Sequence, residues 1–505
     1  MSRRLIVNAA MSVAQVVVIG AVYFFLYRFL LKAVGVEILG VWSVVLATTS
    51  VGRFSNLGLN ASVVKFVAQY LARGDRAKAV AVLETSAVAL GGLLLVVVIA
   101  LYPIARLVLG YFIEADYLDD ALALLPWALA SLWLSVLAGV FQSGLDGLQR
   151  IDLRSGLMMV ATLIYLGLCF ALVPDHGIMG LAYAQIAQVS ILLTFNSLLL
   201  RRMIPEMPLV PYRFRRDVFK ELLGYGIQIQ LMTIGSLLLE PVTKGLVARF
   251  GGVAMAGYFE MANRMVIQLR QLINGATQAI VPTIAHRQET DAMEGSEGSV
   301  KALYLSTYRT LFFVIFPTLA FTLAAIPVIS EVWIGRYEPH FVHVAFVLAC
   351  GLYLGMLSSP AFFTNLGTGD LKWNTIATFL MLVITATPAL VTGGAIGGFG
   401  VAISYALAFV IGGATILRGF LRTQALPMSS AIPRESFGVL FAAFPAAILP
   451  LAVYQLWRDS LGLGATAGLS ALIFIAMIII PVWRHPMRGR LTAVVHRFTR
   501  PTTRS

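Results

Sequence analysis

The sequence predicts an all-α polytopic membrane protein with about 14 transmembrane helices. Three observations predict it. First, 59% of the 505 residues are apolar and only 12% are charged. Soluble proteins run near ~45–50% and ~25%, and the mean hydropathy here is +0.86. Second, the apolar residues gather into runs of about 20, the length that crosses a bilayer as a helix. Third, lysine and arginine concentrate in alternate loops. A disordered chain, a disulfide scaffold and an ordinary soluble enzyme are excluded. Cys169 and Cys350 both lie in apolar runs, so neither a disulfide framework nor a cysteine zinc site is expected.

The runs fall at about 8–31, 37–60, 81–109, 121–143, 155–173, 178–200, 222–247, 254–284, 304–329, 341–366, 374–392, 398–417, 436–457 and 463–483. None has the alternation of a barrel strand. The first is too long for a cleaved leader and lacks a small-residue cleavage site, so it reads as a retained helix. With the N-terminus inside, the inner loops and ends hold about 27 of the 37 lysines and arginines. The clusters are Arg73, Arg76 and Lys78; Arg201 to Lys220; and Arg484 to Arg504. Both termini are therefore expected in the cytoplasm. The net charge of +13 is mainly this topology signal, and nucleic acid is not an expected partner.

Shifting the chain against itself by 217–220 residues reveals an internal repeat. Gly35-Val36 and Gly40 meet Gly252-Val253 and Gly257, and Trp42 meets Phe259. Arg53 falls on Arg270, and Gly177, Gly180 and Ala182 fall on Gly397, Gly400 and Ala402. Each copy holds six spans, an even number. Two lobes related by a pseudo-twofold along the membrane normal follow, a scaffold suited to alternating access. The expected division is an N-lobe at 1–202, a cytoplasmic linker at 203–221, a C-lobe at 222–422, two further helices at 423–484 and a basic tail at 485–505.

Ionisable groups at bilayer depth are costly and point to a cavity or a partner. In span eight, Glu260, Asn263, Arg264, Gln271, Asn274 and Gln278 share one helical face. That stripe lines either water or a polar seam between helices. Span two carries Arg53, Asn56 and Asn60 at i, i+3 and i+7. Arg53 and Arg270 match in the repeat, and two opposed guanidinium groups suit a pyrophosphate or an acidic sugar. Snorkelling to an interface is the alternative for each. Span seven holds Glu240, Pro241 and Lys244. Glu240 and Lys244 form an i, i+4 pair, as do Glu260 and Arg264, and Pro241 is expected to kink the helix. Glu240 and Glu260 are candidates for ion coupling or for structural ion pairs. Arg28 lies near the outer end of span one. Asp146 and Asp152 flank Arg150 and Arg154 as local pairs. No phosphate loop, metal-ligand quartet or nucleophile–base pair is present in the sequence pattern, so no catalysis, cofactor or metal is expected.

The stretch Gly35-Val36-Glu37-Ile38-Leu39-Gly40-Val41-Trp42, then Leu57-Gly58-Leu59-Asn60-Ala61-Ser62, then Tyr70-Leu71-Ala72-Arg73-Gly74-Asp75 resembles the polysaccharide-transport branch of the multidrug/oligosaccharidyl-lipid/polysaccharide exporter superfamily. With the twelve-span duplication and two added helices, the resemblance covers about residues 1–420. It implies a flippase that moves polyprenyl-pyrophosphate-linked oligosaccharide across the bacterial inner membrane for O-antigen, capsule or exopolysaccharide. Membrane lipids, a polysaccharide polymerase and glycosyltransferases are the implied partners. The related lipid II flippases use arginines of the first, second and eighth helices, to which Arg28, Arg53, Arg264 and Arg270 correspond approximately. Lys244 would join them at the anionic group, with Asn56, Asn60, Gln271, Asn274 and Gln278 on sugar hydroxyls. A multidrug/cation antiporter and a lipid II flippase are the alternatives. The charge balance, four basic candidates against Glu240 and Glu260, favours an anionic cargo.

Overall fold

The computed structural model of the chain describes residues 3–50, 59–208, 210–278, 299–368 and 370–486. Among them every regular element is helical, as hydrocarbon requires of a chain that must satisfy its own backbone. The helices are α1 (Arg3–Ala33), α2 (Gly35–Ser50), α3 (Leu59–Ala72), α4 (Arg76–Phe112), α5 (Ala115–Gly147), α6 (Ile151–Met203) and α7 (Arg216–Gln278). They continue as α8 (Ser299–Ile334), α9 (Pro339–Met356), α10 (Ser359–Thr368), α11 (Lys372–Thr423) and α12 (Phe437–Arg484). Among the described residues, eight helical segments are long and apolar enough to cross a membrane. Their outer faces are apolar too: Leu107, Val391, Phe441 and Leu456 are all exposed, as lipid-facing side chains are.

Four of the longest helices are interrupted by one turn each. The breaks are at Gly177 in α6, Gly252 in α7, Gly397 in α11 and Gly462 in α12. Each separates two of the apolar runs read from the sequence. Helical dihedrals persist through Pro241, and the reversal in α7 falls instead at Gly252, with φ +77°. Only glycine adopts that region without strain.

The repeat is visible as matched geometry. Gly35, the counterpart of Gly252, has φ +83°, and Gly177 and Gly397 have φ +54° and +65°. Gly180 packs on the carbonyl of Leu172 and Gly400 on that of Thr392, in each case eight residues earlier. Where α2 crosses α7, Gly40 lies against Val253 and Gly257 against Val36. These are the same two repeat positions with their roles exchanged, as a pseudo-twofold demands.

The described chain forms two compact units. One comprises Met1–Gln268 with Leu382–Ser404, the other Leu269–Met381 with Tyr405 onward. In the first, α3, α4, α5 and the end of α6 close on Leu59, Val63, Leu83, Leu90, Val140, Leu145 and Leu200. The α5–α6 turn is held by Arg150 on Asp152 and Arg154 on Asp146, each at 3.0 Å. In the second, α12 packs on α8 through Ala320, Ala443, Ala446, Ala447 and Ile478. Glu331 of α8 accepts from Tyr454 and Arg458 of α12. Tyr304, Tyr308, Phe312 and Phe420 build an aromatic core beside it.

Candidate functional site

The reversal at Gly252 folds α7 back on itself. Lys244 and Glu260, equally far before and after the break, therefore meet. Lys244 Nζ lies 2.6 Å from Glu260 Oε2 and 2.6 Å from Glu240 Oε1. Glu260 Oε1 also accepts from Arg264 Nη2 at 2.9 Å. The two i, i+4 pairs of the sequence are thus one chain of alternating charge: Glu240, Lys244, Glu260, Arg264.

Burial divides this chain into a core and two ends. Lys244 is 3% exposed and Glu260 5%, whereas the Glu240 side chain is 52% exposed and that of Arg264 35%. A buried charge is tolerated only when paired and hydrogen-bonded. Glu260 is fully provided for, because Tyr27 donates at 2.9 Å and Ser43 at 3.1 Å in addition to the two cations. Arg264 stacks 4.9 Å over the Tyr23 ring, a cation–π contact.

The cluster lines a cavity of about 240 Å³ in the first unit, walled by α1, α2, α6 and α7. Ser50, Tyr165, Gln185 and Gln188 add neutral polar groups to its lining. Gln185 and Gln188 donate outward to Ser131 and Thr162 at 3.3 Å. Among the described residues, the four ionisable side chains other than tyrosine in this wall balance: two acids and two bases. The basic surplus expected from the sequence therefore rests on Arg53 and Arg270.

The remaining candidates lie elsewhere. Arg28 is exposed and is not among the residues lining this cavity. Arg270 belongs to the second unit, its guanidinium 5.1 Å over Phe409 and its Nε buried without a hydrogen-bond partner. Asn60 packs against Gly139 of α5, its Oδ1 likewise unpartnered. Gln271 is exposed. Arg53 and Asn56 lie outside the described residues, and so do the side chains of Asn274 and Gln278. Sequence reasoning missed Tyr23, Tyr27 and Ser43. The i, i+4 spacing of the two tyrosines, on a span whose one charge, Arg28, lies near its outer end, was the available signal.

The sequence profile of the family described as "Polysaccharide biosynthesis protein" matches residues 39–337. No curated protein matches the chain by sequence. Among solved structures, the chain resembles an inward-facing multidrug resistance transporter of the MATE family, MOP superfamily. That match has 17% identity and a TM-score of 0.63, covering 84% of this chain and 96% of the other. It resembles the lipid II flippase MurJ in an inward closed conformation at 14% identity and TM-score 0.65, covering 93% and 99%. A MOP superfamily transporter from Pyrococcus furiosus, described as having a binding pocket of reverse polarity, matches at 14% identity and TM-score 0.58, covering 86% and 99%. These likenesses show the fold, and the profile spans more than half of the sequence. The chain belongs to the polysaccharide biosynthesis protein family.

Proposed function

We propose that the chain is a flippase that carries a polyprenyl-pyrophosphate-linked oligosaccharide across the bacterial inner membrane for polysaccharide assembly. In this reading the broken helices each make two passes, giving fourteen in all with both termini cytoplasmic. Residues 1–202 and 222–422 act as the two rocking lobes, joined by the linker at 203–221 and followed by 423–484 and a basic tail. The family match and the flippase fold support the class of activity. The observation that carries the site is Arg264. It ends the buried charge chain, keeps part of its guanidinium open to the cavity and is backed by Tyr23. A planar guanidinium held this way is preorganised for one face of a phosphate.

A volume of about 240 Å³ is roughly eight waters, the scale of an anionic headgroup. In this reading the lobes part to load the rest of the cargo. Arg53, Arg270 and Lys244 then share the anionic group, with Arg28 nearer the surface. Asn56, Asn60, Gln271, Asn274 and Gln278 address sugar hydroxyls. Glu260, saturated by four donors, is locked. Glu240, with one cation and a half-exposed side chain, is the better acid for ion coupling. A polymerase and glycosyltransferases are the expected partners on the same substrate.

The balanced charge of the cavity wall favours a second reading, a cation-coupled multidrug antiporter. A lipid II flippase is a third, on shared chemistry of the cargo. The test is complementation of a strain lacking its oligosaccharide flippase. Arg264→Ala should reduce surface polysaccharide at least tenfold at equal membrane abundance, with partial rescue by Arg264→Lys. Undiminished polysaccharide with Arg264→Ala rejects the Arg264 site; failure of the intact chain to restore polysaccharide, with drug resistance that depends on Glu240, rejects the flippase in favour of the antiporter.

A further inference from the structure

Away from the charged cavity, α4, α5, α6 and the segment after α6 enclose two adjoining pockets in the first unit. One, of about 620 Å³, is lined by Gly91, Gly92, Trp133, Leu137, Phe141 and Pro211, within the ~300–1,000 Å³ range of small-ligand sites. Its walls are mostly apolar, and polar groups in them are engaged: the Trp133 indole donates to the Gly91 carbonyl and the Ser197 hydroxyl to the Thr194 carbonyl, each at 2.9 Å. The other, of about 570 Å³, is lined by Asp75, Arg76, Glu84, Glu206, Arg213 and Arg215. The two are consecutive along α4: Thr85 lines the polar pocket and Ala87 the apolar one. Glu84 to Gly91 is about 10 Å of helix, the step from the end of a spanning helix toward hydrocarbon.

The polar pocket is already matched in charge, with three arginines and three acids in its wall. Two features are left over. Glu84 is 4% exposed, and its Oε1 has no hydrogen-bond partner. A buried carboxylate oxygen without a donor is costly. Arg213 stacks 5.1 Å from the Tyr212 ring and enters no ion pair among the described residues. Arg76 and Arg215 are engaged by Glu206 and Asp217. The unused acceptor and the unused cation call for a ligand bearing both a donor cation and an anion, and the apolar cavity beside them calls for a chain.

We propose that this composite pocket binds a phospholipid with a primary ammonium headgroup. The ammonium donates to Glu84, the phosphate faces Arg213, and one acyl chain enters the cavity beside Gly91 and Gly92. A phosphatidylglycerol or a polyprenyl phosphate brings no cation for Glu84. A choline headgroup brings charge without an N–H donor. The site is a specific lipid contact, independent of the cargo cavity and of how that cavity is used.

The test uses the detergent-purified full chain, titrated with dioleoyl-phosphatidylethanolamine, -phosphatidylcholine, -phosphatidylglycerol or undecaprenyl phosphate. Bound lipid is read by native mass spectrometry. Phosphatidylethanolamine should bind at least tenfold more tightly than the other three, and Glu84→Gln should bring it to their level. Gly92→Leu adds bulk to the cavity lining at a position where a Cβ meets nothing within 4 Å. It should weaken phosphatidylethanolamine binding at least tenfold, which keeps the test decisive if Glu84→Gln fails to fold. Equal binding of the four lipids, a preference for phosphatidylglycerol or undecaprenyl phosphate, or undiminished binding in Gly92→Leu overturns the assignment.

Discussion

Lys244 and Glu260 are joined at 2.6 Å across the fold-back of one helix, and both are almost wholly buried. Neither acts as a lone charge. Lys244 bridges two carboxylates, and Glu260 gathers Tyr27, Ser43, Lys244 and Arg264. Removing one partner of such a pair strands the other without compensation. Lys244→Met should therefore destabilise the chain by about 3–5 kcal/mol, whereas Lys244→Met with Glu260→Gln should recover much of the loss. Thermal unfolding in detergent, followed by size-exclusion fluorescence, measures both. Additive losses would show that the two groups are not coupled.

The crossing of α2 on α7 depends on two glycines. A Cβ at Gly40 would run into the Val253 carbonyl and stand 3.0 Å from the Gly257 nitrogen; one at Gly257 would stand 3.3 Å from the Gly40 nitrogen. Gly40→Ala must push two backbones apart, a cost of about 1–3 kcal/mol or more. Gly20→Ala serves as control, since a Cβ there meets nothing within 4 Å, and it should be neutral or stabilising by up to about 1 kcal/mol. Equal melting temperatures for the two variants would contradict the close crossing.

Much of the architecture was legible in the sequence because its causes are local. The apolar runs end where the chain reverses, and Gly177, Gly252, Gly397 and Gly462 sit between consecutive runs. The 217–220 offset pairs Gly40 with Gly257, the two glycines that meet where α2 crosses α7. Pro241 keeps helical dihedrals, and the chain reverses at Gly252, between the runs 222–247 and 254–284. In the site, spacing along one helix exposed the pairs Glu240–Lys244 and Glu260–Arg264. It could not reveal that Lys244 joins them, nor that Tyr27 and Ser43 complete Glu260. Those contacts are set by which faces of α1 and α2 meet α7, a relation carried by packing rather than by spacing. Among the described residues of the cavity wall, Lys244 and Arg264 pair with Glu240 and Glu260; Arg53 lies outside the described residues.

A titratable turn lies between α8 and α9. The Glu338 N–H donates to Ser330 Oγ, and its carboxylate takes Arg336 at 2.8 Å and meets His340 Nδ1 at 3.0 Å. Burial alone would raise this carboxyl, but the hydrogen bonds from His340 and Arg336 outweigh it and hold it below the ordinary glutamate range. A lowered native pKa gives stability that is complete above the unfolded value, about 4.3. That stability is lost as pH falls through the native value. Backbone amides of residues 335–342 should then exchange with solvent faster at about pH 3 than at about pH 6, after correction for intrinsic rates. Glu338→Gln should abolish the difference. Uncoupled protection, the same in both proteins at both pH values, would contradict this account.

The most direct test of the central claim is translocation by the purified chain in sealed vesicles, using a fluorescent polyprenyl-pyrophosphate-linked oligosaccharide and scoring its appearance in the opposite leaflet. The account predicts movement by the intact chain, at least tenfold slower movement with Arg264→Ala, and none for a cargo lacking the pyrophosphate. Equal rates for Arg264→Ala and the intact protein, or equal movement of the uncharged cargo, would contradict it.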